Sequence, residues 1–160
     1  MAILAFIVLL LVANGAPLFT AYFLGPHYAA PIDGGRLLPD GNRLFGRTKT
    51  WRGLVAALFC TSFAAVFLGY SFFLGSAVAV MAMTGDLISS FAKRRQGLAS
   101  SSFAFGLDQI PEALLPALAV GMPLLGFSLL EVALVVVIFL ALELVSSGPL
   151  HRLGIRKPAA

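Results

Sequence analysis

Residues 2–26 read AILAFIVLLLVANGAPLFTAYFLGP, twenty-five consecutive positions without a charged side chain. A helix of 18 or more such residues crosses a hydrocarbon core about 30 Å thick. No basic segment precedes the run and its composition recurs later in the chain, so it reads as a retained transmembrane helix rather than a cleaved signal. Across all 160 residues 59% are apolar and 11% charged, against about 25% charged in a soluble domain. The expected class is therefore all-α, a single integral membrane domain over residues 1–160. The one cysteine, Cys60, lies inside an apolar stretch, which excludes a disulfide framework and a thiolate metal cluster.

Outward from the first run, the distribution of charge sets the topology. The eleven Lys and Arg residues fall in three groups, Arg36 to Arg52, Lys93 to Arg95 and Arg152 to Lys157, with none between. Basic loops are retained in the cytoplasm, so each intervening apolar stretch crosses the membrane an even number of times. Five spans follow, near Ile3 to Phe23, Thr50 to Leu68, Phe72 to Phe91, Pro111 to Leu125 and Ser128 to Val145. The N-terminus is then outside and the C-terminus cytoplasmic, in the plasma membrane of a prokaryote. The net charge of +4 reflects this retention, and no nucleic-acid partner is expected. The charge-free stretch from Leu54 to Gly85 is short for two crossings and a turn at about 1.5 Å per residue, which draws Arg52 and Asp86 to the cytoplasmic edge of the membrane. An ionisable group at that depth points to function. Pro17, Pro116 and Pro123 are expected to kink or end their helices.

Chemistry gathers on the cytoplasmic side. The first basic segment ends Gly46 Arg47 Thr48 Lys49 Thr50 Trp51 Arg52 Gly53. Glycines let a backbone approach phosphate, Lys49 offers a point charge and Arg52 a bidentate fork. The alternative is a solvated loop held against anionic lipid heads. Asp86, Ser89, Ser90 and Lys93 stand at i, i+3, i+4 and i+7, an acid, two hydroxyls and a cation on one helical face. Asp86 is then either half of an ion pair or a ligand for a divalent cation that also binds substrate phosphates. Asp108 opens the fourth helix just before Pro111, as a capping acid or a second ligand. Asn14 interrupts the first span, where its amide can bind a neighbouring helix or a head group. Glu131 and Glu143 read as structural, as do His27 and His151.

Taken together, Asn14 to Pro17, the Gly46 to Gly53 element, Gly85 Asp86 with Ser90 and Lys93 Arg94 Arg95, and Asp108 Gln109 resemble the CDP-archaeol synthase family. That family is similar, more distantly, to the phosphatidate cytidylyltransferases. The resemblance implies five transmembrane helices and transfer of a cytidylyl group from CTP to a lipid phosphate with Mg²⁺, giving a CDP-lipid and pyrophosphate. It makes Asp86, Asp108 and Lys93 the expected catalytic residues, with Asp86 and Asp108 as metal ligands. Lys49, Thr50, Arg52, Ser90, Arg94, Arg95 and Asn14 are expected to contact nucleotide or phosphate. The expected partners are CTP, a lipid phosphate and membrane lipids. The nucleophile is already anionic near neutral pH, so the lack of a Ser, Cys or His base fits. A rival class is a small transporter or channel subunit, in which Asp86, Glu131 and Glu143 form an ion path; the clustering of charge at one face argues against it.

Overall fold

A computed structural model of the chain describes residues 1–98 and 108–152, the last six of these in backbone only. Its helices are α1 (Ala2–Leu24), α2 (Trp51–Phe67), α3 (Phe72–Arg95), α4 (Gln109–Pro116), α5 (Met122–Leu125) and α6 (Leu129–Arg152), with a π-helical turn at Ala117–Gly121 joining α4 to α5. Among the described residues there is no strand, only the isolated bridges Pro31 to Thr50 and Leu37 to Arg43. By length and composition, Ala2–Leu24, Phe72–Arg95 and Leu129–Ser146 are able to cross a membrane, and Trp51–Phe67 and Gln109–Leu125 are shorter apolar helical stretches. All five expected spans are thus helical, close to their expected places. The serine run at Ser100 to Ser102 and the cations Arg156 and Lys157 lie outside the described residues.

The helices pack in sequence, α1 on α2, α2 on α3, α3 on α4 and α4 on α6, and α1 also meets α3 and α6. The core joins Phe6, Leu9 and Leu10 of α1, Val78 and Ala82 of α3, Ala113 of α4 and Val135 and Phe139 of α6. Large apolar side chains such as Phe59, Phe63, Phe67, Phe73 and Val137 instead face outward, as expected of a chain solvated by lipid. With no hydrophobic drive to separate helices from lipid, small residues and hydrogen bonds hold them together. At Gly75 a Cβ would stand 2.7 Å from Ala65 Cβ and Ser62 Cα, so α2 and α3 touch there through their backbones. Beside it, Ser62 and Ser76 share a hydroxyl hydrogen bond of 2.8 Å. Gly85 repeats the device between α3 and α4, where a Cβ would collide with the backbone of Pro111 and Glu112.

The prolines act in different ways. α1 runs on through Pro17, which does not end it, and the nearby Thr20 hydroxyl donates to the carbonyls of Ala16 and Pro17. Pro116 ends α4 and the wider π-helical turn follows at once; a residue without an N–H leaves an open rung that such a turn absorbs. Glu131 belongs to a capping box at the start of α6, its carboxylate accepting from the Ser128 N–H at 2.8 Å while the Ser128 hydroxyl accepts from the Glu131 N–H at 3.3 Å.

Candidate active site

The segment between α1 and α2 is built around one carboxylate. Asp33 accepts hydrogen bonds from the backbone N–H of Gly35 at 2.9 Å, Gly46 at 3.0 Å and Phe45 at 3.3 Å, and its Oδ1 lies 3.8 Å from Arg43 Nη1. Gly35 and Gly46 both have positive φ, which these turns demand and side chains resist. The ends of the segment are joined by bonds from Ile32 N–H to the Lys49 carbonyl and from Trp51 N–H to the Ala30 carbonyl. Its tip is tied to α3, because Arg95 donates to Asp40 at 2.6 Å and to the Arg43 carbonyl at 2.7 Å. The loop is therefore a fixed shelf, and Lys49 at its end has a defined direction.

Burial pushes the Asp33 carboxyl up, but the three N–H bonds and Arg43 outweigh it and hold its pKa below the ordinary value. Because the folded pKa is the lower one, this stabilisation is complete above the unfolded value of about 3.9 and fades only as pH falls through the folded value. Amide exchange at Phe45 and Gly46 should stay protected from neutral pH down to about 5. Asp33→Asn should speed that exchange at neutral pH, at a cost of about 1–3 kcal/mol, and the difference from the native chain should close as pH falls through the folded pKa of Asp33. Equal protection in the variant would show that the shelf does not depend on this carboxylate.

Lys49 reaches α3, its ammonium lying 2.5 and 2.6 Å from the two carboxylate oxygens of Asp86. One helical turn from the end of α3, Lys93 Nζ sits 2.7 Å from Asp108 Oδ1 at the start of α4. Glu112, 7% exposed, joins the first pair, its carboxyl within hydrogen-bonding reach of Asp86 and close to Lys49. Three acids and two lysines thus gather where the loop, α3 and α4 meet. The close approach at Gly85 brings this about, since it seats α4's first turn directly against the residue before Asp86. Burial works against the Lys49 ammonium, but Asp86, Glu112 and Asp108 more than compensate and raise its pKa above the ordinary lysine value.

The cluster joins some expected residues and leaves others apart. Asp86, Asp108, Lys93 and Lys49 come together. Ser90 is buried beside them on α3, and Ser89 turns its hydroxyl to the Asp86 carbonyl. Thr50 caps α2 by accepting from the Gly53 N–H at 3.3 Å. Arg52 donates to the carbonyls of His27 and, at 2.8 Å, Gly25, closing the end of α1 where unpaired carbonyls favour a cation. Arg95 is the loop tie already described. Asn14 donates back to the Leu10 carbonyl at 3.1 Å within α1. Asp108 precedes α4 without capping it by its side chain; its carboxylate goes to Lys93 instead.

Glu112 is the residue that sequence reasoning missed. A usable signal existed, for Asp108 and Glu112 are one helical turn apart and fall on the same face. Asp33 was missed too, because its role is to hold backbone donors distant in sequence.

Among the described residues no set of three or more ligating side chains surrounds a metal position. The donor chemistry still suits a hard divalent cation, since Mg²⁺ typically takes one or two protein carboxylates and completes its shell with water and substrate phosphates. Two carboxyls as close as those of Asp86 and Glu112 repel unless a proton or cation lies between them.

The chain as a whole has counterparts among known proteins. The profile of the CarS-like family, CDP-archaeol synthase, matches residues 1–158. The chain belongs to the CDP-archaeol synthase family. The CDP-archaeol synthase of Sulfurisphaera tokodaii is 35% identical over 151 residues, covering 91% of this chain and 87% of that protein. That of Thermococcus onnurineus is 41% identical over 104 residues, 58% of this chain and 61% of its own. A solved intramembrane enzyme of archaeal membrane lipid biosynthesis superposes with a TM-score of 0.68 at 31% identity, covering 88% of this chain and 91% of that one. The family expected from the motifs is thus the family found, and a CDP-archaeol synthase has no need of the ion path that a transporter reading required of Glu131 and Glu143.

Proposed function

We propose that this member of the CDP-archaeol synthase family transfers a cytidylyl group from CTP to an archaeal ether-lipid phosphate at the Asp86, Lys49, Glu112, Lys93 and Asp108 cluster, facing the cytoplasm. The observation that carries the assignment of the site is the convergence of these five side chains where loop, α3 and α4 meet. The reaction needs no base, because the lipid phosphate oxygen that attacks the α-phosphorus is already anionic. It needs two repelling phosphates neutralised and aligned, a task for preorganised charge. Asp86, with Glu112 or Asp108, holds Mg²⁺, which when bound neutralises phosphate charge and polarises the phosphoryl centre. Lys49 and Lys93 are held ready by the acids and turn to the phosphates as these enter. The lipid tails lie along the outward apolar faces of the helices, in the bilayer.

Five crossings with the N-terminus outside follow from the positions of the basic groups. Orientation and metal are tested together with sealed membrane vesicles, labelled CTP and a panel of lipid phosphates. Inverted vesicles should form CDP-lipid from external CTP, right-side-out vesicles should not, and chelation of divalent cations should stop the reaction until Mg²⁺ is restored. Product formed only by right-side-out vesicles would reverse the topology, and turnover surviving chelation would remove the metal.

A further inference from the structure

Aromatic rings with a polar tip are placed unevenly in this chain. It has three tyrosines and one tryptophan, and three of these four stand at the loop end of α1 and α2. Tyr22 lies on the last turn of α1, Tyr28 follows that helix and Trp51 opens α2. Main-chain contacts gather them into one corner, since the Trp51 N–H donates to the Ala30 carbonyl at 3.1 Å and Arg52 holds the carbonyls of Gly25 and His27. The rings face outward, Tyr28 83%, Trp51 54% and Tyr22 52% exposed, with Phe23 edge to face against Tyr22. Tyr28 reaches its place with a φ of 57°, a left-handed backbone that a residue with a Cβ adopts only at a cost. Residues 1–32 contain no acid, and the polar groups beside the rings are His27 and Arg52.

We propose that this corner docks in the head-group layer of the bilayer and thereby holds Lys49, two residues before Trp51, at the level of the lipid phosphates. Tyrosine and tryptophan bury an apolar body at the edge of the hydrocarbon and keep a hydroxyl or N–H in the wet head-group region. A corner without acids is compatible with phosphate-bearing heads. Beyond Trp51 the same face of α2 carries Val55, Phe59, Phe63 and Phe67 at four-residue spacing, all exposed and none with a polar tip, as a face solvated by lipid tails should be. The remaining tyrosine, Tyr70, stands in the turn after α2, at the far end of that helix. The 17 residues of α2 set the two aromatic levels about 26 Å apart, close to the roughly 30 Å of a hydrocarbon core. Asp86 lies fourteen residues along α3 from its start near Tyr70, about 21 Å from that far level. It is thus just inside the layer that Trp51 marks, where Lys49 reaches it. The inference rests on the cytidylyl-transfer reading and adds to it the depth at which the lipid phosphate meets the site.

Trp51 is the one tryptophan of the chain, so its fluorescence reads the depth of the corner directly. The purified full chain is reconstituted into phosphatidylcholine vesicles that carry a nitroxide either just below the glycerol or near the chain end, with aqueous iodide as a third quencher. The loss of emission should be greatest with the shallow nitroxide. Greatest loss with the chain-end nitroxide, or with iodide, would overturn the proposal. Tyr22→Phe combined with Tyr28→Phe keeps both rings and the backbone but removes the polar tips. In that variant Trp51 quenching should shift toward the chain-end nitroxide. Its KM for the lipid phosphate should rise by about fivefold, the scale of one net hydrogen bond, with the KM for CTP unmoved. A native quenching profile in the double variant, an unchanged KM for the lipid phosphate or an equal rise in the KM for CTP would each overturn the proposal. Failure of the native chain to form any CDP-lipid would instead overturn the cytidylyl-transfer reading, and the quenching profile would still decide the docking.

Discussion

Asp86→Asn is expected to lower CDP-lipid formation by about a hundredfold to a thousandfold, the scale at which one preorganised electrostatic contact contributes to a reaction. The asparagine keeps the shape of the side chain and its place on α3, but it removes the charge that holds Lys49 at 2.5 Å and that, in the proposed mechanism, would offset a divalent cation. Lys49 is not orphaned by the change, since Glu112 remains beside it, so the variant should stay folded and the loss should appear in turnover. It should also need more Mg²⁺ for half-maximal rate. Asp108→Asn should follow the same pattern. Glu131→Gln should retain near-native activity, because Glu131 only caps the start of α6. The measurement is CDP-lipid formation across an Mg²⁺ titration, with melting temperature as the control. Near-normal turnover of Asp86→Asn at low Mg²⁺, together with a dead Glu131→Gln, would show that the active site lies elsewhere.

Gly85→Val should be the most damaging single change at a residue that carries no chemistry of its own. A Cβ at this position collides with the Pro111 and Glu112 backbone, which cannot yield as the end of a flexible side chain does. Overpacking of this kind costs about 1–3 kcal/mol or more, and the relief available is separation of α3 from α4. That separation parts Asp86 from Glu112 and Lys93 from Asp108, so activity should vanish even in the folded fraction. Gly75→Val is the matching comparison. It meets the α2 backbone at 2.7 Å, also too close for a Cβ, ten residues earlier on α3 and away from the cluster. It should lower the melting temperature similarly while its folded fraction keeps most of its turnover. Equal kcat per folded molecule in both variants would mean that α3 and α4 need not touch for the reaction to proceed.

Gly85 and Gly75 look alike in the sequence, and so do Arg47, Arg52 and Arg95. What separates the members of each set is contact. Arg52 turns to the carbonyls that end α1 and Arg95 to Asp40 and Arg43, which leaves Arg47 at the rim of an arginine-lined cleft. Cations that look alike in the sequence thus resolve into a helix-end contact, a tie and a rim. Asp33 is the clearest case of a role hidden from the sequence. Its partners lie two, ten, twelve and thirteen positions away, a set that no single helical or strand period produces.

The sequence by itself determined that this chain lives in a bilayer, where its five apolar helical stretches begin to within about two residues, and which face of α3 carries Asp86, Ser89, Ser90 and Lys93. Those properties are local or periodic, since hydropathy sums along the chain and a helical face repeats every 3.6 residues. Motif order likewise sufficed to indicate the family. Only the tertiary structure decided that Lys49 belongs to Asp86 and Lys93 to Asp108, and that Glu112 joins the first of these pairs. The reason is that pairing among buried charges depends on how closely the elements that carry them approach: the missing side chain of Gly85 against the turn at Pro111 sets this for α3 and α4, and the loop held by Asp33 sets it for Lys49.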